Sequence, residues 1–156
     1  MKKVLIFKGG WDGHQPDLTS VRFARLMEAE GYEAEISDTL DCLADAEKLE
    51  EYALIVACWT MGEIPNEYVK NLAKAIGKGT GLAGCHGGMC DAFRKNTEWQ
   101  FITGGQWVSH PGGDGIEYTV PVLLQKGWRI LRCAVSTIIC MWIRPSMYWL
   151  PRVFLW

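Results

Sequence analysis

The sequence contains no CxxC pair, no two histidines at helical spacing and no apolar run approaching the about 20 residues of a membrane-spanning helix. Each absence excludes a class of protein. Its six cysteines, Cys42, Cys58, Cys85, Cys90, Cys133 and Cys140, show no tight pairing, which argues against a disulfide framework or a zinc knuckle. Charged Lys2 and Lys3 are followed by only four apolar residues before Lys8, too short a stretch for a signal peptide. Reduced thiols in a cytoplasmic protein are the expectation. A formal net charge of −2 offers no basic footprint for nucleic acid. His14, His86 and His110 are the only histidines, and together with Cys85 or Glu98 they lack the spacing that would specify a metal site. No metal and no cofactor is expected.

What is present divides in two. Residues 1–117 hold 11 basic and all 18 acidic side chains, a charge of −7, whereas residues 118–156 hold five basic residues and no acid. Four of the eight tryptophans fall in that last stretch. The 156 residues suit one domain with a sizeable core, but two kinds of sequence are joined in it.

The first kind alternates strand and helix. Lys2–Lys8 is a short apolar run with β-branched Val4 and Ile6, a buried first strand. A glycine-rich loop, Gly9–Pro16, leads to a helix capped by Asp17 or Thr19 and closed by Gly31. Tyr32–Ile36 reads as a second strand, Asp41–Glu51 as a helix and Leu54–Ala57 as a third strand. Pro65–Ile76 is an amphipathic helix and Gly81–Cys85 a fourth strand. Beyond these, a helix continues through Arg94–Phe101 and a strand is expected over Ile116–Val120. Right-handed βαβ crossovers then build a parallel sheet covered by helices on both faces.

Ligands bind such sheets beyond the carboxyl ends of the strands. The three loops there, Gly9–Pro16, Trp59–Glu63 and Cys85–Asp91, carry Trp11, Asp12, His14, Trp59, Glu63, Cys85 and His86. Small Gly84 and Gly87 around Cys85 suit a nucleophile elbow, a sharp strand-to-helix turn that tolerates only small neighbours. Cys85 is thereby the expected nucleophile and the most reactive thiol, with His110 a better placed base than adjacent His86. Trp11 and Trp59 are expected to stack on a flat substrate, and Asp91 to cap a helix or bind substrate together with Arg94.

The segments GGWDGHQP, CWTMGEI and GLAGCHGGMCDAFRKNTEWQFITGGQWVSHPGGDGIEYTV closely resemble the ThuA-like (trehalose utilisation) family over residues 3 to about 120. The resemblance implies an α/β, flavodoxin-like three-layer sandwich with a mostly parallel sheet, related to class I glutamine amidotransferases and linked to carbohydrate metabolism. Cys85 would match the nucleophile of those relatives, although no His-x-Glu pair follows Glu117 to complete their triad. His86 matches the family's characteristic histidine. The expected function is a small polar-substrate site at the sheet's carboxyl edge, of hydrolase or amidotransferase type. The rivals are a non-catalytic sugar-binding or interaction module and an inactive truncated product. The expected partner is a sugar-related small molecule, with no nucleic acid, no membrane and self-association left open.

From about residue 121 the resemblance stops. The tail's longest uncharged run, Cys133–Ile143, is too short for an anchor, and Arg129, Arg132 and Arg144 would be costly in lipid. Residues 121–156 are instead expected to be an out-of-frame translation that truncates the domain at its C-terminus and leaves a sheet edge open. Read one nucleotide upstream, the unique codons of Met141 and Trp142, followed by the Ile143 codon, must give Val and then Asp. The encoding gene, when sequenced, should continue the family pattern in that neighbouring frame. A gene without such a continuation would refute the reading.

Overall fold

A computed structural model of the chain describes residues 1–108 and, for the backbone alone, residues 140–143. His110, the strand expected over 116–120 and the tail apart from 140–143 lie outside the described residues.

The first strand, β1 (Lys3–Gly10), forms because Val4, Leu5, Ile6 and Phe7 are all fully buried, as a strand covered on both faces requires. Alternation sends them to opposite sides. Val4 and Ile6 join Phe23 and Ala24 of helix α1 (Pro16–Ala29) on one face. Leu5 and Phe7 join the larger cluster on the other, under α2 (Ala46–Glu50), α3 (Asn66–Lys78) and α5 (Thr97–Thr103). Val69, Leu72 and Ala75 of α3 recur three apart and are all fully buried. The remaining strands are β2 (Glu33–Ser37), β3 (Tyr52–Thr60) and β4 (Gly81–Cys85), followed by the four-residue helix α4 (Gly87–Cys90).

Strand order is β2-β1-β3-β4-β5, with the first four strands parallel. The flavodoxin-like α/β arrangement expected from the sequence is therefore present. Strand β5 (Cys140–Ile143) pairs antiparallel with β4, Cys85 standing opposite Cys140. Strand β4 thus has a pairing partner on each side. The order reverses between β1 and β3, and that switch point is where a doubly wound sheet opens a crevice for ligand.

Several boundaries differ from expectation for local reasons. Helix α1 begins at Pro16, whose ring pre-sets the first helical φ, so Gln15 takes the cap position without a side-chain bond. Asp17 forms an ion pair with Lys8 instead of capping. The helix expected over Asp41–Glu51 is a 3₁₀ turn (Leu40–Leu43) followed by α2, because the Asp45 carboxylate accepts from the Glu47 and Lys48 amides and starts a new helix. Asp91 ends α4 where a helix start was expected, and Asn96 caps α5 through the Trp99 amide, 2.8 Å away. Trp99 is fully buried, edge-on to Phe7 and Phe93, and its indole N–H donates to the Met89 carbonyl at 3.0 Å. It pins α5 to α4, and so braces the turn that follows β4.

Candidate functional site

The strand-to-helix turn has one residue between β4 and α4, and that residue is His86. Its φ of 49° and ψ of −138° lie in a region that side-chain-bearing residues rarely adopt. The elbow apex is therefore His86, and the placement of Cys85 there is corrected. Cys85 is still the last residue of β4, in register with Cys140, so its backbone is extended and paired. It is 9% exposed and packs with Val4, Ile6 and Val56. The glycines fit this arrangement: Gly84 and Gly88 stand two residues either side of His86. A Cβ on Gly84 would lie 2.6 Å from the Met89 Cβ, so α4 can fold back only over a glycine.

His14 sits opposite, at the end of a 3₁₀ turn (Asp12–His14) that follows β1. Its ring meets His86 edge-on with centroids 5.1 Å apart, and Trp11 at 4.8 Å. His14 Nδ1 is 2.9 Å from the hydroxyl of Thr60, which is 2% exposed at the end of β3. The Trp11 amide donates to the Thr60 carbonyl at 3.1 Å, fixing the loop to the same residue. Burial, and then the neighbouring His86, push the His14 pKa below its ordinary value, while the Asp91 charge opposes them.

These groups open onto a cavity of about 310 Å³ walled by His14, Thr19, Thr60, Cys58, Cys85 and His86, with Pro16 and Gly88 completing it. Among the described residues its wall carries no Asp, Glu, Lys or Arg. The loop after β3 is tied in from behind. The Met61 amide donates to the Asp91 carbonyl at 2.8 Å, and the Phe93 amide to the Met61 carbonyl at 3.2 Å.

The expected site residues divide accordingly. Trp11, His14, Cys85 and His86 meet at one edge of the sheet. Trp59 does not: it lies on the opposite face from Cys58 and Thr60, against Phe93 at 6.2 Å, in the larger core. Glu63 is 76% exposed and pairs with Lys95 at 2.6 Å, away from the cavity. Asp12 is exposed and absent from the cavity wall. Asp91 is 5% exposed and held by Arg94, so these two bind each other behind the cavity. The sequence reading missed Thr60, Cys58, Pro16 and Thr19. Period-two spacing from buried Val56 was the available signal for Cys58 and Thr60.

Gly87 leaves no room for a side chain beside His14, since a Cβ there would lie 2.3 Å from His14 Cε1. Gly87→Ala should turn the His14 ring away from Thr60 at a cost of about 1–3 kcal/mol in denaturant unfolding. The wild-type His14 resonance should titrate below 6.5. Its neutral form then contributes stability that is fully present above about pH 6.5 and declines as pH falls from there towards the folded value. The variant's His14 should return towards an ordinary titration. A His14 that titrates identically in both proteins would contradict this geometry.

No helix among the described residues is long and apolar enough to cross a membrane. No curated protein matches the chain. Among solved structures, the chain is similar to a ThuA-like protein from Bacteroides uniformis ATCC 8492, at a TM-score of 0.52 and 20% identity. The match covers 66% of this chain and 42% of that one, so this chain spans less than half of that protein. At such identity the likeness shows the shared fold. The family model described as trehalose utilisation, ThuA, matches residues 3–132, past the point near 120 where the resemblance was expected to stop. That match spans most of the sequence, and the chain belongs to the ThuA (trehalose utilisation) family.

Proposed function

We propose that the cavity binds a neutral, hydroxyl-rich small molecule of the carbohydrate class, and that His14 and His86 transfer protons to and from it. One observation carries the reading: two imidazoles face each other in a cavity whose described wall has hydroxyls and thiols but no fixed charge. Such a wall suits a sugar better than a sugar phosphate or an amino acid. Family membership points to the same class of ligand. A histidine whose neutral form is favoured is suited to act as a general base near neutral pH.

Amidotransferase chemistry loses support, because it needs a thiolate at the apex that His86 occupies. Hydrolysis by the two-carboxylate glycosidase route is likewise unsupported, since no carboxylate lines the described wall. A second reading, a non-catalytic sugar-binding module, is favoured by the packing of Cys85 among Val4, Ile6 and Val56, as a core residue would pack.

Trehalose, glucose and glucose 6-phosphate, each titrated against protein labelled at histidine, test both readings. The neutral sugars should shift the His14 and His86 signals, the phosphate should bind more weakly, and His86→Ala should weaken sugar binding at least about tenfold, equivalent to about 1.4 kcal/mol. Proton transfer adds enzyme-dependent deuterium incorporation beside the carbonyl of a reducing sugar in D₂O; binding without incorporation supports the second reading. Tighter binding of the phosphate would overturn both.

A further inference from the structure

Asp91 is a buried carboxylate that the cavity does not use. It is 5% exposed, outside the cavity wall, and gripped at both oxygens by Arg94, whose Nη2 is 3.0 Å from Oδ2. An ion pair at the surface needs no such burial. Its position explains more than the pairing does. The point where a Gly87 Cβ would stand is 2.3 Å from His14 Cε1 and 3.5 Å from the Asp91 Cβ. The imidazole and the carboxylate-bearing carbon therefore both approach one point beside Gly87, where only a glycine fits. The Asp91 backbone is fixed as well, through the Met61 amide that its carbonyl accepts at 2.8 Å.

We infer that Asp91 is the positioning carboxylate of His14, and that Arg94 sets how much of its charge the imidazole feels. The inference rests on the proton-transfer role proposed for His14. When His14 takes up a proton, a fixed negative charge behind Gly87 stabilises the imidazolium. The groups that oppose or modulate this effect among the described residues are His86 from the turn after β4, the Cys58 and Cys85 thiols of the wall, and the Thr60 hydroxyl on Nδ1. Arg94, with a half-exposed side chain, neutralises part of the Asp91 charge from the far side. Arg94 thus pairs with Asp91, and Asp91 stands beside Gly87 near His14.

The test is a histidine NMR titration of the full chain and two variants. Asp91→Asn should lower the proton affinity of His14 several-fold, because the stabilising charge is gone. Arg94→Gln should raise it, because Asp91 is no longer masked. Opposite movements from the two ends of one ion pair are not expected if the pair is merely structural, since breaking it from either end would then loosen the turn alike. Arg94 has one end in solvent, so Arg94→Gln keeps the test open if Asp91→Asn does not fold. An unmoved His14 in the Arg94 variant, or movement of both variants in the same direction, would overturn the inference. The titration uses no substrate, so a failure of the sugar-binding reading would be seen separately, in the ligand experiments.

Discussion

The backbone of His86 is the constraint on which the rest of the site depends. A side-chain-bearing residue held at φ 49° and ψ −138° costs on the order of 1–3 kcal/mol, and it persists only where its surroundings leave no alternative. Here the surroundings are specific. Strand β4 is paired on both sides as far as Gly84, and Cys85 pairs onward with β5. Immediately beyond the apex, α4 is braced by the bond from Trp99 to the Met89 carbonyl. Between a paired strand and a pinned helix, a single residue must reverse the chain. The reversal brings the imidazole to the cavity edge.

Topology supplies the rest. The β1–β3 switch point puts the loop after β1 beside the end of β3, and their register sets Gly10 against Thr60. Thr60 then serves both neighbours, with its carbonyl accepting from Trp11 and its hydroxyl against His14. One buried threonine therefore orients the histidine that faces the apex. Non-glycine positive φ values recur at Gln15, Met61 and Phe93. Gln15 precedes α1, Met61 follows β3 and Phe93 lies between α4 and α5, and none of the three lines the cavity.

Much of this was legible in the sequence, and the failures share a cause. Alternation of strands and helices placed three loops at one edge, and Gly81–Cys85 matches β4 residue for residue. The side chains were harder, because strand parity decides them. The third strand was expected to stop at Ala57; it runs to Thr60, which puts Cys58 and Thr60 on the cavity face and turns Trp59 into the core. The elbow was misplaced by one residue because the glycine spacing was misread: Gly84 and Gly87 stand one and two residues from Cys85, while Gly84 and Gly88 stand two residues either side of His86. The symmetric spacing holds only for His86, and the backbone geometry agrees with it. Asp91 was visible as a carboxylate after the turn, but its pairing with Arg94 behind Gly87 depends on how α4 folds back, which no local pattern encodes.

The central claim is that His86 occupies a strained apex, and a comparison of His86→Gly with His86→Ala tests it most directly. Both substitutions remove the imidazole and its contact with His14. Only glycine is at ease at this φ. Equilibrium unfolding in urea should show His86→Gly to be more stable than His86→Ala by about 1–2 kcal/mol. Equal stabilities, or a more stable alanine variant, would mean that residue 86 has an ordinary backbone and that the site is not built on this turn.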